Sequence, residues 1–287
     1  MLYFHAYCIH KLFDDIWARL LDLATSLQQL LILSLSRPLV NTHNIRAFRF
    51  GIPWIVKVTQ RTVSTEAHAL RYLHAMGLGL PVPQLIFCCI HRGITYTVMT
   101  LIPGTSLMDA ILGGDMTPDA VESVAQEVAV VLSKLQTLRQ SPTDAGKVMM
   151  SASGHHLPDP VVFFEKRSGP YRCALDLWAH CGDYFDLTEM KGDVEPATLD
   201  IMAAEPIQYV HADLRIYNII VHDGHLSGII DWEDSGWFPS SWQVHTLRWP
   251  RFGCYGPWLQ YWLRYHFSEE AEAAYAASKT FLIKSPV

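Results

Sequence analysis

The chain has 287 residues, of which 50% are hydrophobic and 17% are charged, and its formal net charge is −6. This composition excludes a disordered chain, and the length fits either one large two-lobed unit or two small domains. The 22 Lys and Arg residues are scattered without a dense run, so the sequence shows no electrostatic surface for nucleic acid.

The first apolar stretch does not look like a targeting segment. It contains Asp14, Asp15, Arg19 and Asp22, and no small-residue cleavage site follows a basic start, which disfavours a secretory signal. The longest apolar block, 30–35, is too short to span a bilayer. The six cysteines lack C-x-x-C spacing, so metal ribbons and disulfide frameworks are disfavoured. We expect a cytoplasmic protein without a membrane span, as a monomer or weak dimer.

An N-terminal extension, residues 1–38, is predicted to be helical. Apolar residues recur every three or four positions from Leu12 to about Leu35, and Arg37-Pro38 ends the pattern. We expect the apolar face to pack on the main body, and an interfacial membrane helix is disfavoured because the polar side of the helix is acidic rather than basic. The apolar face consists of Leu12, Ile16, Leu20, Leu23, Leu27 and Leu30.

Residues 39–104 are predicted to form a small lobe of four or five antiparallel strands with one helix. The predicted elements are strands at 45–50 and 54–58, a helix at 62–76 and strands at 84–90 and 94–101. Gly77-Leu78-Gly79 is a helix C-terminal signal, and Arg92-Gly93 is a turn. The lobe ends at Ile102-Pro103-Gly104, a turn signature that could act as a hinge.

Residues 105–287 are predicted to form a larger, mainly helical lobe. Thr117 as cap, Pro118 at the first helical position and Glu122 predict a helix that runs to about Leu138. Further helical patterns occupy 173–185, 198–204 and 256–282, the last as one or two helices. A single island of strand pattern lies at 207–210, 219–222 and 226–230, with a turn at Asp223-Gly224. The whole pattern predicts an α+β, two-lobed protein.

The candidate catalytic and metal-binding residues lie in and around these three predicted strands. His211-Ala-Asp213 ends the first strand, Asn218 follows five residues after Asp213, and Asp231 comes at the end of the third strand. Phosphoryl transfer needs a carboxylate to orient the attacking hydroxyl, and amide and carboxylate oxygens to hold Mg²⁺ against the phosphates. The spacing therefore favours phosphoryl transfer.

Two segments resemble a known family. Residues 211–218, together with Ile229-Ile230-Asp231-Trp232-Glu233, are similar to the aminoglycoside phosphotransferase family, a branch of the protein-kinase-like fold that also contains choline kinases. The run 231–239 resembles in particular the fungal small-molecule kinases of this family. The resemblance covers roughly 45–265 and implies an ATP-binding small lobe and a larger catalytic lobe that binds the substrate.

The resemblance implies roles in the larger lobe. Asp213 falls on the catalytic aspartate, and Asn218 and Asp231 fall on the two Mg²⁺ ligands. His211 heads the catalytic loop and would buttress it. Arg215 lies in a stretch where the chain departs from the family, and it would either neutralise charge on the transferred phosphoryl group or pair with a neighbouring carboxylate.

The resemblance also implies a nucleotide site in the small lobe. Lys57 matches the strand lysine that holds the α and β phosphates of ATP, and Glu66 matches its ion-pair partner on the following helix. A helix N-terminus favours a carboxylate in any case. The adenine-binding hinge falls near 99–102, with Met99 and Leu101 as the expected contacts.

The chain departs from the family pattern. The stretch 41–50 lacks the glycine-rich turn that usually covers the phosphates, and 214–217 lacks the Pro or Gly that the family commonly has between Asp and Asn. The missing turn leaves open an alternative, a pseudokinase-like module that binds nucleotide without transfer. A protein kinase is a weaker third option, because Asp231-Trp232-Glu233 replaces Asp-Phe-Gly and no Ala-Pro-Glu follows.

The phosphoryl acceptor is expected to be a hydroxyl of a small organic molecule. An aminoglycoside or choline would call for an acidic or aromatic cage. A cluster of carboxylates could serve this purpose or could be a solvated helix face. Its members are Asp183, Asp186, Glu189, Asp193 and Glu195.

Overall fold

The computed structural model describes residues 20–39, 44–159, 167–249 and 256–283. These residues belong to two compact units, Met1–Ser64 with Leu85–Leu101 and Thr65–Gln84 with Ile102–Val287. The α+β class predicted from the sequence is confirmed. The domain bounds drawn from the sequence stay a prediction.

A five-stranded antiparallel sheet forms the first unit. Its strands are β1 (Ser36–Pro38), β2 (Ile45–Phe48), β3 (Trp54–Thr59), β4 (Leu85–His91) and β5 (Ile94–Thr100). They lie in the order β1-β2-β3-β5-β4. Both predicted hairpins are confirmed, and in the second one Arg92 and Gly93 both take positive φ angles. A two-residue turn of this kind matches the twist of the strands that it joins.

One face of this sheet is covered by a helix, α1, which the structure describes over residues 20–35. Ile32 of α1 packs with Val56, Tyr96 and Val98 in a buried cluster. The Arg46 side chain closes the C-terminal end of α1 by donating to the carbonyl oxygens of Leu33 and Ser36 at 3.2 and 2.9 Å. A cation at this end of a helix also interacts favourably with the helix dipole.

The face through which α1 packs is not the predicted one. Within the described residues, the predicted face is exposed: Leu20, Leu23, Leu27 and Leu30 are 50–62% accessible. The other members, Leu12 and Ile16, lie outside the described residues.

Polar groups on the sheet explain the orientation of α1. Gln29 Nε2 donates to the Tyr96 hydroxyl at 2.7 Å, and Thr25 Oγ1 lies 3.3 Å from His91 Nδ1. Tyr96 and His91 are both buried, and buried polar groups require hydrogen-bond partners. The polar face of α1, which also includes Asp22 near His91, supplies them and turns the leucines outward.

Nine helices of the second unit are described. They are α2 (Thr65–Ala75), α3 (Leu107–Leu112), α4 (Pro118–Leu135), α5 (Ala174–Cys181), α6 (Leu187–Asp193), α7 (Pro196–Ala204), α8 (Ser240–Arg248), α9 (Gly256–Arg264) and α10 (Glu269–Ile283). The cap predicted for α4 is confirmed, since Thr117 Oγ1 accepts the Ala120 N–H at 3.2 Å. The helices α3 and α8 were not predicted, α6 corresponds to the helix that was one of two interpretations of the acidic cluster, and α4 ends three residues earlier than expected. None of the described helices is both long and apolar enough to cross a membrane.

The strands of the second unit are short and form three small sheets. They are β6 (Thr105–Ser106), β7 (Met150–Ser151), β8 (Leu157–Pro158), β9 (Arg167–Ser168), β10 (Ile207–Val210), β11 (Ile219–His222), β12 (His225–Ile229) and β13 (Gly236–Pro239). The sheets are β10-β13-β7, β12-β11-β6 and β8-β9. The three predicted strands therefore do not form one island: β11 and β12 form the expected hairpin, whereas β10 pairs with β13.

A buried carboxylate and an aromatic cluster hold the helices of the second unit. Glu205 accepts the Ser241 N–H at 2.9 Å, near the beginning of α8, and the Trp178 Nε1–H at 3.1 Å. Burial raises the pKa of Glu205. The indole of Trp178 packs beside that of Trp242. A buried acid that receives several hydrogen bonds at a helix N-terminus fixes how the helix starts.

His245 of α8 lies in the same core. Its Nε2 is 2.8 Å from Ser278 Oγ of α10, and its ring packs against Trp178 and Tyr275. Burial, together with the nearby cations of Lys279 and Arg248, lowers the pKa of His245 to about 3. The imidazole is therefore neutral in the folded protein at neutral pH.

The pH dependence of stability should reveal this group. Below pH 6.5 the unfolded chain binds a proton at His245 that the folded chain refuses, so the free energy of unfolding should fall as the pH is lowered. The contribution approaches about 1.4 kcal/mol per pH unit. Urea unfolding at several pH values gives the free energy of unfolding as a function of pH. This free energy should change less steeply with pH in His245→Gln than in the wild type. Equal slopes would contradict the assignment.

Candidate active site

The loop that joins β10 to β11, residues 211–218, holds the predicted catalytic residues close together. Ala212, two residues after the end of β10, takes a left-handed backbone conformation with φ 65°. Two consecutive turns follow, in which the Arg215 N–H donates to the Asp213 carbonyl and the Asn218 N–H donates to the Arg215 carbonyl, both at 2.9 Å. The turns bring the side chains of Asp213 and Asn218 together.

Both carboxylate oxygens of Asp213 have a partner within the loop. Arg215 Nε forms an ion pair with Asp213 Oδ1, and Asn218 Nδ2 donates to Asp213 Oδ2 at 3.1 Å. Asn218 Nδ2 also donates to the Asp213 carbonyl at 2.8 Å. Of the two roles considered for Arg215, the structure forms the pair with a neighbouring carboxylate. The position of the Asp213 carboxylate is thus fixed from two sides.

His211 links this loop to the strand that leads into Asp231. Its ring is buried, its Nδ1 accepts the Asp213 N–H at 3.3 Å, and its Nε2 lies 2.9 Å from the Ile230 carbonyl oxygen. Since Nδ1 accepts, the proton is on Nε2 and is donated to Ile230. The ring also packs against Trp232 at 4.5 Å between centroids. These contacts suit the buttressing role predicted for His211.

Asp231 and Asn218 are neighbours through the backbone. The N–H of Ile230, directly before Asp231, donates to the Asn218 carbonyl at 2.9 Å. Asp231 has φ 66° and ψ 60°, a left-handed conformation that costs most residues free energy but that Asp and Asn adopt more readily than others. The turn changes the chain direction at the point where the carboxylate is placed.

The oxygen donors of this segment fit Mg²⁺. Because Asn218 Nδ2 donates to Asp213, the amide directs its Oδ1 away from Asp213, and Asp231 adds carboxylate oxygens. Hard oxygen ligands are those that Mg²⁺ prefers, and Mg²⁺ is usually held by one or two carboxylates with phosphate oxygens and water. In the described part of the chain, no group of three or more His, Cys, Asp or Glu could hold a metal ion. A metal at Asn218 and Asp231 would therefore need phosphate oxygens or water to complete its coordination.

Glu66 has a partner that the sequence did not indicate. Its side chain, on the first turn of α2, is 4% exposed, and its Oε1 accepts the Trp232 N–H at 3.2 Å. Trp232 directly follows Asp231, so this hydrogen bond from Glu66 fixes the backbone immediately after Asp231. No local signal could have revealed this contact, because the two residues are 166 positions apart. The predicted pairing of Glu66 with Lys57 stays a prediction.

Lys57 lies on β3 in the first unit, on the face opposite to α1. The strand register pairs Lys57 with Thr97 and Ile45, and pairs Ile55 with Met99. Paired residues and those two apart along a strand share a face, so Lys57, Ile55 and Met99 all lie on this side. Lys57 therefore shares this face with Thr97, Ile55 and Met99, of which Thr97 and Met99 are buried.

One backbone group of the predicted adenine-binding hinge already has a hydrogen-bond partner within the first unit. The Leu101 N–H donates to the Pro53 carbonyl at 2.8 Å, and the Leu101 side chain is exposed. An adenine contact at Leu101 would therefore use its carbonyl rather than its N–H. Of the stretch that lacks the glycine-rich turn, 41–43 lies outside the described residues.

The acidic cluster near α6 has local partners. Asp186 Oδ1 accepts the N–H groups of Thr188 and Glu189 and caps the helix. Glu189 accepts the Phe185 N–H at 2.7 Å, and Asp193 accepts the Tyr184 hydroxyl at 2.6 Å. These contacts favour the interpretation as a helix with capped ends over that of a cage for a cationic acceptor.

One family model matches most of the chain. The family model described as "Phosphotransferase enzyme family" matches residues 36–242, a span that includes every candidate site residue. No curated protein sequence matches the chain.

Solved structures show the same fold at low sequence identity. A variant of aminoglycoside 2′-phosphotransferase IIIa in complex with GDP is 13% identical with a TM-score of 0.53, over 86% of this chain and 80% of that one. A thermostable variant of aminoglycoside phosphotransferase APH(4)-Ia, in ternary complex with ADP and hygromycin B, is 15% identical with a TM-score of 0.51, over 91% and 99%.

The contact between Glu66 and Trp232 can be tested by stability. Glu66→Ala leaves a buried N–H without an acceptor and should lower the free energy of unfolding by about 1–3 kcal/mol. Glu66→Gln keeps a carbonyl oxygen and should lose less. Urea unfolding measures both, with Glu270→Ala on the exposed surface of α10 as the control. A Glu66→Ala protein as stable as the control would refute the role of this bond.

Proposed function

The chain belongs to the phosphotransferase enzyme family, and from this premise we propose that it transfers the terminal phosphoryl group of ATP, with Mg²⁺, to a hydroxyl of a small organic molecule. Membership confirms the resemblance carried by 211–218 and 229–233. The closer similarity to fungal members stays a prediction.

The arrangement of Asp213, Asn218 and Asp231 is the observation that supports this proposal most strongly. A carboxylate that is held from two sides can orient an acceptor hydroxyl and accept its proton. The hydroxyl oxygen then bonds to the γ-phosphorus while the bond from that phosphorus to the bridging oxygen breaks, and ADP leaves. The protein's task in such a reaction is mainly to position the groups and to offset charge.

The proposed nucleotide contacts lie in the first unit. Lys57 would bind the α and β phosphates, and the apolar face around Met99, with the carbonyl of Leu101, would bind the adenine. Asn218 and Asp231 would hold the metal. When bound, Mg²⁺ offsets the negative charge of the phosphates. Arg215 would keep the Asp213 carboxylate in place between turnovers.

The alternative, a pseudokinase-like module, is separated from an enzyme by a two-stage experiment. Saturating Mg²⁺-ATP should raise the melting temperature, because a ligand that binds only the folded state stabilises it. Measurement of ATP consumption over a panel of alcohols and amino alcohols should then reveal an acceptor. A shift without consumption favours the pseudokinase, and the absence of any shift with ATP or GTP contradicts both.

Asp213→Asn should lower turnover with that acceptor by about 10²–10⁴-fold, since general base catalysis typically contributes this much. The Mg²⁺-ATP thermal shift should remain. Asp223→Asn, in the exposed turn between β11 and β12, is the matched control and should keep wild-type turnover. Near wild-type turnover of Asp213→Asn would rule out the proposed role of Asp213.

Asp231→Asn tests the metal site without disturbing the backbone, because Asn also tolerates the left-handed conformation. Loss of one carboxylate charge should weaken Mg²⁺-ATP binding about tenfold or more and leave metal-free ATP binding unchanged. Isothermal titration calorimetry with and without Mg²⁺ measures both affinities. An unchanged Mg²⁺-ATP affinity would exclude Asp231 as a metal ligand.

A further inference from the structure

The outward face of α1 is an apolar surface that the fold of the described residues leaves uncovered. Five leucines form it, and we call them the leucine stripe: Leu20, Leu23, Leu27, Leu30 and Leu31, all 50–62% exposed. At 3.6 residues per turn they fall within about 100° of the helix circumference. Exposed apolar patches of this kind mark interaction surfaces on soluble proteins more often than isolated exposed leucines do.

The orientation of the stripe is fixed by the opposite side of α1. Ile32 is buried in the sheet cluster, and Gln29 and Thr25 contact Tyr96 and His91. Rotation of α1 to bury the leucines would remove these hydrogen bonds and leave buried polar groups without partners. The stripe is therefore a stable feature of the surface.

The first unit, to which α1 belongs, has a positive formal charge. The first unit carries eight Lys and Arg against three Asp and Glu, a formal charge of +5, although the whole chain carries −6. Exposed arginines lie at both ends of α1. Arg92 follows His91, which contacts the N-terminal part of α1, and Arg49 donates its N–H to the Leu35 carbonyl at the C-terminal end.

One further exposed apolar side chain follows Arg49 in the chain. Phe50, next to Arg49, is 85% exposed in the turn after β2, and it takes a positive φ angle. Phenylalanine and leucine are among the side chains with which interfacial helices enter the boundary between headgroups and acyl chains.

We propose that the leucine stripe binds a membrane surface that carries anionic lipid headgroups. The leucines would enter the boundary between headgroups and acyl chains, with α1 in the plane of the surface, and Arg49 and Arg92 would contact lipid phosphates. The sequence disfavoured an interfacial helix because the polar side of the helix is acidic. The structure places that polar side against the sheet and supplies the positive charge from residues outside the helix.

A second copy of this chain fits the stripe less well. Two copies paired through their stripes would bring together two units that each carry a charge of +5, which opposes association. An anionic surface meets the same charge with attraction.

Flotation of the full-length protein with vesicles tests the proposal. We expect binding to vesicles of phosphatidylcholine mixed with phosphatidylserine, and much weaker binding to phosphatidylcholine alone or at high salt. The variant Leu23→Gln/Leu27→Gln/Leu30→Gln should lose about tenfold or more in binding. Leu112, on α3 of the second unit, is a still more exposed leucine, at 71%, and the control variant Leu112→Gln should bind like the wild type.

A second variant tests the proposal without changing any residue of α1. Arg49→Gln/Arg92→Gln leaves the leucines in place and should reduce binding to the phosphatidylserine vesicles only. Wild-type protein that does not bind these vesicles, or stripe and arginine variants that bind as well as wild type, would overturn the proposal. It is also overturned if the stripe variant instead abolishes a dimer seen by analytical ultracentrifugation while wild-type protein ignores vesicles.

Discussion

The turn at Asp231 depends on one buried hydrogen bond. Asp231 is left-handed, so the chain reverses there, and the next N–H, that of Trp232, points into the interior, where Glu66 accepts it. The bond satisfies both groups, because a buried carboxylate needs a hydrogen-bond donor and a buried N–H needs an acceptor. The bond joins α2 to the segment after β12 within the second unit, so the placement of the proposed metal ligand depends on a helix far away in sequence.

The rest of the candidate active site is held mostly through main-chain groups. His211 spans from the Asp213 N–H to the Ile230 carbonyl, and Asn218 accepts the Ile230 N–H through its own carbonyl. The two segments that carry Asp213 and Asp231 are thereby fixed to each other whichever side chains surround them. This is preorganisation in the physical sense, since the groups do not need to reorder when a substrate binds. The contacts of Arg215 and Asn218 with the Asp213 carboxylate each join two side chains.

The two faces of the sheet in the first unit carry different kinds of residue. One face carries Lys57 with Ile55 and Met99, while the other buries Val56, Tyr96 and Val98 beneath α1. Two polar groups on the buried face, on Tyr96 and His91, decide how α1 sits and therefore which of its residues meet water. A surface of functional interest can thus arise from the need to satisfy hydrogen bonds underneath it.

The sequence by itself determined those features that depend on residues close together in the chain. Thr117 caps α4, the hairpins of β2-β3 and β4-β5 have the predicted partners, and the spacing of Asp213 and Asn218 suffices to bring them together, because each of these features depends on residues close in the chain. Tertiary structure alone decided the outward leucines of α1, the pairing of β10 with β13 and the bond between Glu66 and Trp232. Periodicity specifies that a helix has an apolar face or that a segment is a strand, but it does not specify the partner. The partner is chosen by which arrangement satisfies the most buried polar groups across the whole chain.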